Sequence, residues 1–144
     1  MIFDLNRFID AQAPVIARVR AELAAARKAS HWMWFVFPQL RGLGRSATAL
    51  HYGIASREEA LAYWQHPVLG PRLADCTALM LAVPAGRSAL DVLGSPDDLK
   101  FRSSMTLFEQ VAPETPLFAQ ALERYFGGER DALTLQLLSS ADGR

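Results

Sequence analysis

Asp97, Lys100 and Ser104 are spaced for chemistry within the segment Asp97-Asp98-Leu99-Lys100-Phe101-Arg102-Ser103-Ser104. Residues three and four apart adjoin one another on a helix. These three border the apolar stripe of Phe101, Met105, Phe108 and Ala112. Polar groups beside a buried face need partners, because an unpaired buried charge is expensive. The plainer outcome is an Asp97–Lys100 ion pair with a helical serine. The sharper one is a Lys–Ser–Asp cluster opening into a cleft, with Lys100 binding an anion or tuning Ser104.

A second candidate is His31-Trp32-Met33-Trp34-Phe35-Val36-Phe37-Pro38-Gln39, where polar His31 and Gln39 bracket a run of rings. Such a run can plug a core, since each ring buries a large area. It can also wall a cleft in which Trp32 and Trp34 supply shape while His31 and Gln39 orient a ligand. Directly after it, Arg41-Gly42-Leu43-Gly44-Arg45-Ser46 combines two glycines, two arginines and a helix-capping serine. Converging backbone N–H groups at Gly42, Gly44 and Ser46 would make an anion seat, although a solvated turn with a cap explains them equally well. The spacing is neither that of a P-loop nor that of a dinucleotide fingerprint.

Other chemistry finds little support. His31, His51 and His66 lack the helical spacing and neighbouring carboxylates of a zinc site, so no metal is expected. His66, before Pro67, suits a helix junction where it satisfies backbone groups. No Gly-x-Ser-x-Gly elbow is present. Cys76 excludes an intramolecular disulfide and reads as a buried, inert thiol.

The elements that must position these residues are helical. Asp4 precedes one amphipathic segment, and Pro14 opens another with Val15, Val19, Leu23 and Ala26 on one stripe. Ser56 with Glu59, Ser88, Ser95 with Pro96, and Thr115 with Pro116 are start signals, and Pro67 can occupy the first position of a further helix. Gly94 and Gly127-Gly128 are stops, and a last short helix is expected over 131–138. Trp34 to Phe37 has strand-like composition but no partner strand. The expectation is one all-α domain over 1–144, of seven or eight short helices.

At 144 residues, with 51% hydrophobic and 21% charged residues, the chain is long and apolar enough to bury a core. Fifteen basic residues balance fifteen acidic ones, so no global field recruits nucleic acid or an anionic membrane. Met1 to Arg7 has no signal-peptide pattern, and the longest apolar runs are too short to span a bilayer. A cytosolic location is expected.

Several short motifs resemble, from end to end, an uncharacterised bacterial and fungal family of small helical proteins often labelled "calpastatin". They are Arg7-Phe8 with Ala11-Gln12, the His31 to Gln39 segment, Gly42-Leu43-Gly44 with Ser46, Tyr52, His66-Pro67 with Leu69-Gly70, Asp97 with Lys100, and Ser103 to Phe108. The resemblance implies an all-α fold and brings no established activity. The label fits poorly, because the calpain inhibitor it refers to is disordered and polar.

The residues then point to a cytosolic ligand-binding domain for a small anionic, nucleotide-like molecule in an aromatic-walled cleft. Arg7, Gln12, Trp32, Trp34, Gln39, Gly42, Gly44, Ser46 and Lys100 would bind it, with Arg41 and Arg45 converging to make the cavity positive. If it is an enzyme, hydrolysis or glycosidic cleavage is the class, with His31, Asp97 and Ser104 as catalytic candidates. No cofactor is called for. The rivals are an interaction module presenting Trp32 to Phe37 to a protein partner, and a purely structural domain.

Overall fold

The computed structural model describes residues 3–142, with side chains through 140; Met1, Ile2 and the last two residues lie outside that range. The backbone there forms ten helices: α1 Asn6–Gln12, α2 Ile16–Ala24, α3 Met33–Val36, α4 Ala47–Tyr52, α5 Arg57–Gln65, α6 Leu69–Ala82, α7 Ala89–Leu93, α8 Asp97–Val111, α9 Leu117–Phe126 and α10 Ala132–Asp142. Among the described residues the nearest approach to a sheet is a single parallel bridge between Leu40 and Ile54. None of these helices is long and apolar enough to cross a membrane.

Helix α8 is the axis of the core. Phe101, Met105 and Phe108 are fully buried along it, with Ala112 buried at its C-terminal cap, and it packs against α5, α7, α9 and α10. Phe37 meets Phe101 edge-on at 4.9 Å, so the aromatic segment is joined to α8 through the core. Trp34 to Phe37 is no strand. With no partner to complete a ladder, Met33–Val36 closes as a single helical turn.

The start signals act as chemistry dictates. The Ser56 hydroxyl accepts the Glu59 N–H at 3.1 Å, and Ser88 with Asp91 forms a reciprocal capping box. Thr115 accepts the Leu117 N–H at 3.3 Å, and Gly127 ends α9 with φ 61°. His66 Nδ1 accepts from the N–H groups of Val68 at 3.1 Å and Leu69 at 3.3 Å, making it the junction residue at the start of α6. Three expectations need correction. α6 begins at Leu69, because Pro67 lies within the turn that His66 organises. Pro96 and Pro116 occupy the cap positions of α8 and α9 rather than their first turns, and neither Ser95 nor Thr115 is the cap residue. Finally, α2 stops at Ala24 and Ala26 adopts φ 58°, so Ala26 does not continue the helical stripe. That left-handed residue turns the chain toward Lys28.

Candidate functional site

Lys28 leaves the α2 turn with its backbone N–H donating to the Val92 carbonyl at 2.8 Å, against the end of α7. Its ammonium reaches Asp97 Oδ2 at 3.0 Å. Lys100, one helical turn along α8, lies 3.7 Å from the other oxygen, Oδ1. Both lysines therefore share one carboxylate. Lys100 Nζ also sits 3.4 Å from the Trp34 ring centroid, and Lys28 Nζ lies 5.1 Å from that of Trp32. A cavity of about 390 Å³ opens between them, lined also by Ser30, His31, Met33 and Pro96. Two ammonium groups and the Asp97 carboxylate line it.

Burial, and then the nearby charge of Lys28, pull the Lys100 ammonium below the ordinary lysine range, against the opposing pull of Asp97. Fully buried groups elsewhere behave differently. Burial pushes the Cys76 thiol up to about 12, which keeps it protonated and inert.

The wall is held by Glu22 on α2. Its carboxylate accepts from the Ala29 N–H at 2.8 Å, the Ser30 N–H at 3.1 Å, the Ser30 hydroxyl at 2.6 Å and the Trp32 indole N–H at 2.8 Å. Burial alone would raise its pKa; these four donors outweigh it and hold the carboxyl down at about 2, against an ordinary 4.5. A depressed carboxylate contributes stability above its unfolded pKa and loses it as pH falls toward the folded one. Acidification from about pH 5 to pH 2 should therefore cost roughly 2 kcal/mol through Glu22, after discounting for solvent screening. Denaturant titrations of the wild type and Glu22→Gln across that range check this. Identical pH dependence in the two would remove Glu22 as the clamp.

Of the residues expected from sequence, the structure brings His31, Trp32, Trp34, Asp97 and Lys100 to one cleft. Trp32 is almost wholly buried, so it forms the floor rather than an open stacking platform. Gln39 lines a neighbouring groove of about 290 Å³ that adjoins the cleft through Pro96 and Lys100. Ser104 does not join them. It is fully buried, its Oγ has no hydrogen-bond partner, and it lines neither cavity.

Gly42, Gly44 and Ser46 serve the turn. Gly42 needs its φ of 107°, and a Cβ on Gly44 would come within 2.8 Å of the Ala49 Cβ. The Ser46 hydroxyl accepts the Ala49 N–H at 3.1 Å. Gln12 is a buried strut, donating to the Phe35 carbonyl at 2.6 Å and the Tyr63 hydroxyl at 2.9 Å.

The arginines do not converge on Lys100. Arg7 and Arg41 line a separate cavity of about 400 Å³ with Glu59 and His51, and Arg45 is exposed. The second cation of the cleft is Lys28, which motif spacing did not reveal. A signal existed nonetheless. Of fifteen basic residues only Lys28 and Lys100 are lysines, and both lie here.

A family model described as "Protein of unknown function (DUF1810)" matches residues 2–138. The chain belongs to this family. The crystal structure of a conserved hypothetical protein, Rv1873 from Mycobacterium tuberculosis, is similar at 55% identity and a TM-score of 0.92, covering 95% of this chain and 97% of that one. None of the curated proteins matches. Membership of DUF1810 accounts for the all-helical fold and leaves activity to be argued from the cleft.

Proposed function

We propose that the cleft binds a small anionic, nucleotide-like molecule. One observation carries this reading: both lysines of the chain meet a single carboxylate in the wall of a cavity of about 390 Å³. Ligand pockets span about 300–1,000 Å³, so a compact ligand fits. The anion would displace Asp97 from part of its contact with Lys100, and low-dielectric tryptophan walls strengthen that interaction over its value in water. The ring of Trp34 would wall the base or sugar above the Trp32 floor, with Ser30 and His31 at the mouth to bond it. Hydrolysis would draw on His31 or Asp97; Ser104 lies too deep to take part. The burial of Trp32, Met33, Val36 and Phe37 leaves little of the aromatic segment for a protein partner.

A thermal-shift screen against nucleotides, sugar phosphates and ADP-ribose derivatives tests the reading. A ligand at about 100 times its Kd stabilises by about 2.7 kcal/mol. Lys100→Met should then weaken binding by about 2 kcal/mol, the worth of a hydrogen bond to a charged group. Unchanged affinity in a folded Lys100→Met variant would make Lys100 structural and end the proposal.

A further inference from the structure

We propose that Lys100 is an imine-forming amine, and that the ligand of the cleft carries an aldehyde or ketone beside its anionic group. This deepens the anion-cleft reading and rests on it. The first ground is the choice of side chain. Every basic side chain counted among the lysines and arginines of this chain is arginine except Lys28 and Lys100. For an ion pair or an anion seat arginine would serve as well or better, since its fork bonds oxyanions two at a time. Only an amine can shed a proton near neutrality and form a bond to carbon.

The second ground is the different footing of the two lysines. The Lys28 side chain is 7% exposed and bonded to Asp97 at 3.0 Å, whereas that of Lys100 is 18% exposed and 3.7 Å away. Lys28 is the fixed cation, and Lys100 the looser and more reachable one. Lys100 also faces the adjoining groove, so a substrate has a second approach to it. The titratable groups lining the cleft with it are Lys28, His31 and Asp97. Burial and the charge of Lys28 favour the neutral amine, in keeping with this role.

The step balances without a redox partner. Asp97 takes one proton from the Lys100 ammonium, and the freed Nζ lone pair forms a bond to the carbonyl carbon. The C=O π pair moves onto oxygen, which receives that proton back from Asp97. A second proton passes from nitrogen to the new hydroxyl, the C–O bond breaks, and water leaves. An iminium with the same single positive charge remains against the Trp34 ring, where a cation is favoured. Asp97 is restored as a carboxylate, and hydrolysis reverses the sequence.

The probe is glyceraldehyde 3-phosphate with cyanoborohydride, applied to the full chain and read by peptide mass. Besides the terminal amine only two amines exist, so assignment is direct. Lys100 should be labelled several-fold faster than Lys28 at neutral pH, because it is the more exposed and the less closely paired of the two. Lys100→Arg should abolish that adduct in a chain that still folds, as circular dichroism reads, because a guanidinium forms no imine. Calorimetric binding of glycerol 3-phosphate, which has no carbonyl, without a Lys100 adduct overturns the imine and leaves the anion seat standing. A fast Lys100 adduct without glycerol 3-phosphate binding supports the imine and removes the anion seat. Labelling spread equally over Lys28 and Lys100 also overturns the proposal.

Discussion

Arg7→Ala is expected to lower the folding free energy by about 3–5 kcal/mol, the cost of breaking a buried ion pair from one side. Ligand affinity in the lysine cleft should be unaffected. The Arg7 and Glu59 side chains are 8% and 4% exposed and meet at 3.1 Å. The guanidinium also donates to the carbonyls of His51 at 2.8 Å, Gly53 at 3.2 Å and Asp4, and it lies over the Phe8 ring. Truncation would strand an ionised Glu59 in the interior, still accepting the Ala55 N–H at 2.7 Å. It would also cut the tie between α1 and the connection from α4 to α5. Urea denaturation measures the loss. Pairing Arg7→Met with Glu59→Gln isolates the interaction, since removing both charges should cost less than removing either alone. A loss under about 1 kcal/mol would contradict the buried pair, for exposed pairs contribute no more than that. A loss of cleft affinity comparable with that of Lys100→Met would return Arg7 to the ligand.

Why Arg7 reads as a ligand group in sequence and as a strut in structure is a matter of range. Caps and stops are local: Ser56 with Glu59, Ser88 with Asp91, and Gly127 act within a few residues, so the chain shows them directly. The α8 stripe is legible for the same reason, as periodicity alone places Phe101, Met105 and Phe108 on one face. Met33–Val36 carries no cap signal and closes as a helical turn where tertiary packing overrides its strand-like composition. Apart from the Asp4 carbonyl, the hydrogen-bond partners of Arg7 lie 44 to 52 residues away, and no local pattern names them.

Most of the candidate site was legible. Asp97, Lys100, Trp32 and Trp34 stand out because helical spacing and aromatic density are visible in one dimension. Lys28 and Glu22 do not, because each acts through a fold-dependent contact: Lys28 across to α8, and Glu22 around the left-handed turn at Ala26. Amino-acid choice held the missing clue, since lysine is rare here and arginine abundant. Ser104 misleads because helical adjacency to Lys100 does not fix exposure; a small change of angle turns it into the core.

Asp97→Asn is expected to destabilise the ligand-free protein by about 3 kcal/mol, near the low end for breaking a buried pair because the carboxylate is 18% exposed. The substitution keeps the shape of the side chain, removes its charge and turns one of its two acceptor oxygens into a donor. Two ammonium groups then face each other across the cleft with no anion between them, and Lys28, at 7% exposure, has little water to turn to. The same change should raise affinity for a phosphate-bearing ligand by about tenfold, because the ligand no longer competes with Asp97 for the two lysines. By linkage, such a ligand must restore much of the lost stability, and more of it than it adds to the wild type. Imine formation should slow in the variant, since the amide cannot accept the proton that frees the Lys100 amine. Denaturation with and without glycerol 3-phosphate, alongside calorimetry, reads these effects apart. Equal stabilisation of wild type and variant by the ligand would mean that Asp97 and the anion do not share the lysines, and that the cleft is not the binding site.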